Sequence, residues 1–137
     1  MKLEVSNTLL FGELKSILEE RDVILRIKGN SMWPFFKDIK TSVTLRKVVS
    51  IKNKEIYLFK LNDTYVLHRL IKVKDDKLIF RGDGNLGKEY TTKYSLIGHV
   101  IGFENKKYIK TSSKVYKVKL RLYLLLPRII MIKLFKR

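Results

Sequence analysis

Cysteine is absent from this 137-residue chain. That removes disulfides, thiolate nucleophiles and Cys-ligated metal sites together, and it fits a cytoplasmic protein. Histidine is scarce: His68 and His99 stand far apart, which is weak material for a metal site. No metal and no cofactor are expected. Long apolar runs are missing too. The N-terminal segment MKLEVSNTLLFGELKSILEERD is broken by Glu4, Glu13, Glu19 and Glu20, so it reads as neither a secretory signal nor a membrane anchor. Acids vanish from the C-terminal part, where Lys106 to Arg137 holds 11 Lys and Arg and no Asp or Glu. The net charge of +17 is therefore chiefly a property of that stretch, and its partners would be anionic: a membrane surface or nucleic acid.

What is present is globular. A chain 45% hydrophobic and 31% charged is too apolar for disorder, and its length suits one domain with a real core. Leu9, Leu10, Leu14, Ile17 and Leu18 recur at three- and four-residue spacing and predict a helix over residues 8–20, capped by Ser6 or Asn7. From Val23 the period changes to two, which predicts a strand running into Gly29. Further strands are expected at Ser42–Val49, Glu55–Leu61, Tyr65–Val73, Lys77–Arg81 and Leu96–Phe103, with polar turns between them. The sum is a mostly β fold with a coiled or barrel-like antiparallel sheet. It divides into an N-terminal helical segment (1–21), a β domain (22–111) and a basic tail (112–137).

The tail, VYKVKLRLYLLLPRIIMIKLFKR, has no uncharged stretch longer than Leu122–Pro127. A bilayer span needs about 20 apolar residues. Interleaved apolar and basic residues suit an amphipathic helix, kinked or split at Pro127. Residues 114–137 would lie on an anionic membrane surface, or the helix would dock on the sheet with a solvated basic face. The scarcity of polar residues suited to base contacts argues against nucleic acid.

Three short boxes carry the chemistry. "GNSMWPFFKD" (29–38) places Ser31 among turn residues, with Met32, Trp33 and Pro34 after it. "YVLHRLIKV" puts His68 and Arg69 on an apolar strand. "FRGDGN" (80–85) flanks Asp83 with two glycines at a strand end. Each has an ordinary reading taken alone: a turn serine, a strand histidine, a hairpin aspartate. A serine hydroxyl is a poor nucleophile until a base takes its proton, so their order matters more than any one of them.

In that order the boxes resemble the signal peptidase and SOS-repressor group of self-cleaving serine peptidases. "SMWP" resembles the nucleophile motif. "HR" stands where bacterial members place a general-base Lys and endoplasmic-reticulum members place His. "GDGN" resembles the box that follows, and "SLIGHVIGF" the closing strand. The likeness runs roughly from Val23 to Phe103, and small bacterial relatives with a basic-apolar tail are the nearest in character.

The resemblance implies a Ser–His endopeptidase acting on a peptide or protein substrate. Ser31 would attack, His68 would act as base, and a carboxylate would orient the imidazole. Asp83 and Glu89 are both candidates for that carboxylate. Met32 and Trp33, with Pro34, would line the substrate groove. Where signal peptidases carry a Ser two positions before the nucleophile, this chain has Gly29. The oxyanion would then rest on the Ser31 N–H and the Asn30 side chain, and losing one donor costs roughly 3 kcal/mol. Lys54–Glu55 replaces a Gly-Asp pair of the group. Without an anchor helix, the expected place of action is the cytoplasm or the inner membrane face. A His base with an ordinary pKa near 6.5 implies activity rising through roughly pH 6 to 7.

Two other readings compete. One is a catalytically idle peptidase-like module that binds a membrane or an acidic partner through its tail. The other is a nucleic-acid-bound regulator, against which stand the single N-terminal helix, too little for a helix-turn-helix, and the missing Lys. His99 is expected to serve strand packing.

Overall fold

In the computed structural model of the chain, residues 3–5 and 12–125 are described. They hold nine strands: β1 (Leu3–Val5), β2 (Val23–Arg26), β3 (Ser42–Arg46), β4 (Ile56–Leu61), β5 (Thr64–Lys74), β6 (Lys77–Arg81), β7 (Glu89–Thr92), β8 (Leu96–Glu104) and β9 (Tyr108–Lys110). Two α-helices flank them, α1 (Leu14–Leu18) and α2 (Lys114–Leu125). The strands form one sheet in the order β1-β2-β3-β8-β4-β5-β6-β7, with β9 added to β8. All pairings are antiparallel except β1 with β2. The fold is mostly β, as the turn spacing implied, and the sheet is open rather than closed into a barrel.

The turns obey local chemistry. Asn62 and Asp75 occupy left-handed backbone (φ 54° and 55°) in the β4–β5 and β5–β6 hairpins. Asn and Asp tolerate that region better than other non-glycine residues. β4, β5 and β6 pair in succession, and β5 is the longest strand of the sheet.

Period-two alternation divides the core. On β4, Ile56 and Leu58 enter one apolar cluster with Leu14, Leu18, Val43, Leu45, Val100 and Phe103. Tyr57 and Phe59 enter the other, with Leu70, Leu78, Phe80 and Leu96. Phe59 and Phe80 stack there at 4.1 Å between ring centres. Burying each such side chain contributes roughly 1.5–3 kcal/mol.

Differences from the sequence reading have simple causes. β1, β7 and β9 are three or four residues long, too short to display alternation. The strand expected to reach Gly29 ends at Arg26, because the chain there turns toward β3. Of the helix expected over 8–20, the described part is α1, whose Leu14 and Leu18 are buried; residues 8–11 lie outside the described residues. α2 packs on the domain through Tyr116, Leu120 and Tyr123, so Tyr116 and Leu120 belong to the first cluster. The Pro127 kink lies outside the described residues.

Candidate active site

The β2–β3 connection holds Ser31. Gly29 turns the chain with φ +85°, a conformation open to glycine, and its N–H donates to Asp38 Oδ1 at 2.7 Å. The Trp33 N–H donates to the Asn30 carbonyl at 3.1 Å, and the Phe36 N–H to the Met32 carbonyl at 3.0 Å. Thr41 closes the loop: its Oγ1 accepts from the Lys37 N–H at 2.7 Å and donates to Asn105 Oδ1. Phe36 is fully buried and lies 4.9 Å from the Phe103 ring. Ser31 therefore sits on a turn fixed at both ends.

Met32 corrects one expectation. It does not line a groove; it is 2% exposed and packs in the first core cluster. Its sulfur accepts the Asp83 N–H at 3.4 Å. A flexible thioether is well suited to fill the space under two converging turns. Trp33 and Pro34 remain half-buried beside it.

The second and third boxes converge on this turn. The Gly84 N–H donates to the Ser31 carbonyl at 2.8 Å. A Cβ on Gly82 would collide with that carbonyl and come within 2.9 Å of His68 Nε2 and 3.0 Å of Asn85 Nδ2. Gly82 is thus the point where Ser31, His68 and Asn85 meet, and only a residue without a side chain fits there. His68 is nearly buried, and its Nδ1 lies 2.5 Å from Glu89 Oε1. Its Nε2 faces the Ser31 turn. Among the described residues no hydrogen bond joins His68 Nε2 and the Ser31 hydroxyl, to each other or to another group. Catalytic contacts are commonly long before substrate arrives.

Asp83 takes a different partner. Side chains alternate along a strand, so Arg69 points away from the face that His68 uses. Arg69 Nε and Nη2 donate to the two Asp83 oxygens at 2.8 and 2.7 Å, a bidentate pair that is 2% and 1% exposed. Arg69 also donates to the Lys54 carbonyl at 2.6 Å and the Tyr116 hydroxyl at 2.9 Å. Burial works against the guanidinium charge, but Asp83 and Tyr116 outweigh it and hold the Arg69 pKa above its ordinary value. Burial pushes the Tyr116 hydroxyl up, against the pull of Arg69. Of the two candidate carboxylates, then, Glu89 touches the imidazole and Asp83 does not.

Three contributors escaped the sequence reading. Tyr123 on α2 donates its hydroxyl to the Asp83 carbonyl at 2.6 Å. Tyr116 caps Arg69 from the same helix. Phe35 packs edge-on against both rings, at 5.4 Å from Tyr116 and 5.8 Å from Tyr123. The signal was two tyrosines seven positions apart, on one face of an otherwise Leu- and Val-rich helix. Asn85 was visible as the last letter of GDGN, but not as a neighbour of His68.

The Ser31 N–H and the Asn30 side chain have no hydrogen-bond partner among the described residues. Lys54, in place of a glycine, adopts the left-handed region (φ 73°) and is held by its N–H to the Leu70 carbonyl at 2.7 Å. A second imidazole–carboxylate pair, His99 Nε2 to Glu55 Oε1 at 3.1 Å, lies beneath the Tyr57 ring, which stacks on His99 at 4.9 Å. Its hydrogen bond from His99 holds the Glu55 carboxyl below the usual range despite burial. No group of three or more acids and histidines among the described residues is placed to hold a metal.

The profile of the Peptidase S24-like family matches residues 3–101. The chain belongs to this family. No curated protein matches it. Membership places the chain in a serine peptidase superfamily. The matched Peptidase S24-like segment ends within β8, so α2 and its two tyrosines lie beyond it.

Proposed function

We propose that the protein is a serine endopeptidase that cleaves a precursor, leader or signal-like peptide with Ser31 as nucleophile and His68 as base. One observation carries this reading: Glu89 holds His68 Nδ1 at 2.5 Å while the opposite nitrogen meets the Ser31 turn across Gly82. Imidazole so held presents Nε2 as the acceptor. The Ser31 oxygen adds to the scissile carbonyl and its proton passes to Nε2. Glu89 stabilises the imidazolium that forms. The Ser31 N–H and Asn30 receive the developing oxyanion. Collapse breaks the C–N bond, and His68 returns the proton to the leaving amine. Water then adds to the acyl-Ser31 ester, giving its proton to His68, and releases the acid with the Ser31 hydroxyl restored. Trp33 and Pro34, half-buried beside Ser31, are the candidate substrate contacts.

The test is cleavage of a mixed peptide pool, read by mass spectrometry, with the protein incubated alone to detect self-cleavage. Wild type is expected to cut at a restricted set of sites, and Ser31→Ala and His68→Ala to lose at least about 10³-fold in rate while staying folded. Products that persist in Ser31→Ala, or no cleavage by wild type in either format, would overturn the assignment.

A further inference from the structure

Helix α2 has two apolar faces. Tyr116, Leu120 and Tyr123 are buried against the domain. Val115, Val118, Leu122 and Leu125 are 57–76% exposed. Their spacing of three, four and three puts them in one stripe along the helix, turned away from the domain. Lys114, Lys117, Lys119 and Arg121 are exposed around that stripe, and α2 carries no acid. A contiguous exposed apolar stripe on a soluble fold marks a docking surface.

A cleft of about 290 Å³ opens beside the same helix. Lys52, Lys54, Lys117 and Arg121 line it, together with the apolar Leu120 and Leu124. Glu55 is its one acid, and that carboxylate is engaged by His99. The cleft therefore combines four cations with apolar side chains. It shares Lys117 and Arg121 with the helix, so the cationic cleft and the apolar stripe adjoin.

We infer that α2 docks on an anionic phospholipid surface, with the Val115–Leu125 stripe entering the acyl boundary and a headgroup phosphate seated among Lys52, Lys54, Lys117 and Arg121. Charge complementarity selects this occupant. A second copy of the chain would bring another excess of cations to the same face. Residues 126–137 continue the pattern in sequence, with Arg128, Lys133, Lys136 and Arg137 among Leu, Ile, Met and Phe. Among the described residues no helix is long and apolar enough to cross a membrane; a helix with an apolar stripe and basic flanks lies in the interface plane. The buried tyrosines keep the helix seated on the domain while its outer side meets lipid. Docking needs no reaction at Ser31.

The experiment is co-sedimentation of the full chain with vesicles of phosphatidylcholine alone and of phosphatidylcholine with about one third phosphatidylglycerol. Binding is expected to be at least about tenfold tighter to the anionic vesicles and to weaken with salt. Val118→Glu/Leu122→Glu, both on the exposed stripe, is expected to abolish it. Lys117→Glu/Arg121→Glu is expected to weaken it about tenfold or more. Inorganic phosphate at millimolar concentration is expected to compete little; binding of inorganic phosphate with no sedimentation on either vesicle type would point to a free phosphate and overturn the membrane assignment. Equal binding to both vesicle types would overturn it as well. So would unchanged binding by the stripe variant, or a concentration-dependent dimer in sedimentation velocity that the stripe variant dissolves. Circular dichroism of each variant establishes that it folds, since all four positions are solvent-exposed.

Discussion

His68 and Arg69 are neighbours on β5, and each meets a carboxylate from farther along the chain. Their situations are opposite. His68 bonds Glu89 through one nitrogen and leaves the other toward Ser31. Arg69 spends four of its five N–H donors on Asp83, Lys54 and Tyr116. One residue step along a strand separates a pair suited to moving a proton from a pair suited to holding turns together. The strand's alternation, not the identity of the acids, decides which carboxylate does which.

Exchanging the roles tests that contrast most sharply. Glu89→Gln keeps the shape beside His68 but removes the charge that stabilises its cation. Peptide cleavage is expected to fall by about 10² to 10⁴ in kcat, with stability in denaturant changed by about 1 kcal/mol or less. An unchanged kcat would place Glu89 outside the reaction. Asp83→Ala should do the reverse in kind. It strands a buried guanidinium, and urea melts are expected to show a loss of about 3–5 kcal/mol. The paired replacement Arg69→Met/Asp83→Leu should lose less than Asp83→Ala, because no uncompensated charge remains. If the double variant is the worse of the two, the pair is more than a structural clamp.

Smaller effects mark the edges of the two networks. Tyr123→Phe removes the hydroxyl on the Asp83 carbonyl and is expected to cost about 1–2 kcal/mol in stability, with a fall in kcat rather than a rise in KM if it aligns the turn. Glu55→Gln probes the second imidazole–carboxylate pair. Its folded-state pKa is depressed, so the wild-type advantage is present at neutral pH and disappears as pH falls through a value below the ordinary carboxylate range. Thermal melts of both proteins from pH 7 to pH 3 should converge at the acid end; a constant gap would deny Glu55 its role.

Much of the fold was readable because the longer strands are β-rich runs bounded by polar turns. Tyr65–Val73 and Lys77–Arg81 are rich in Val, Leu, Ile, Tyr and Phe between polar turns, and the observed β5 and β6 match them to within a residue or so. β7 was not readable: EYTT is four residues, yet it carries Glu89 to His68. The Ser31, His68 and GDGN boxes were legible as a linear order. Which acid faces the imidazole depends on register between β5, β6 and the turn after them, and no local signal encodes that. Met32 misled because an apolar residue beside a nucleophile looks like a groove, whereas here it supports the Asp83 turn from below. The tail read equally as a docked helix or an interfacial one. α2 is docked through its tyrosine face, and its other face is exposed.

The brace formed by Tyr116 and Tyr123 also sets a schedule. Every group of the Ser31–His68–Glu89 constellation precedes residue 90, while the two hydroxyls that steady Arg69 and the Asp83 turn come from residues 116 and 123. On the ribosome, these three groups therefore emerge before the helix that fastens the Asp83 turn beside them. A chain still in synthesis holds the constellation without its final brace.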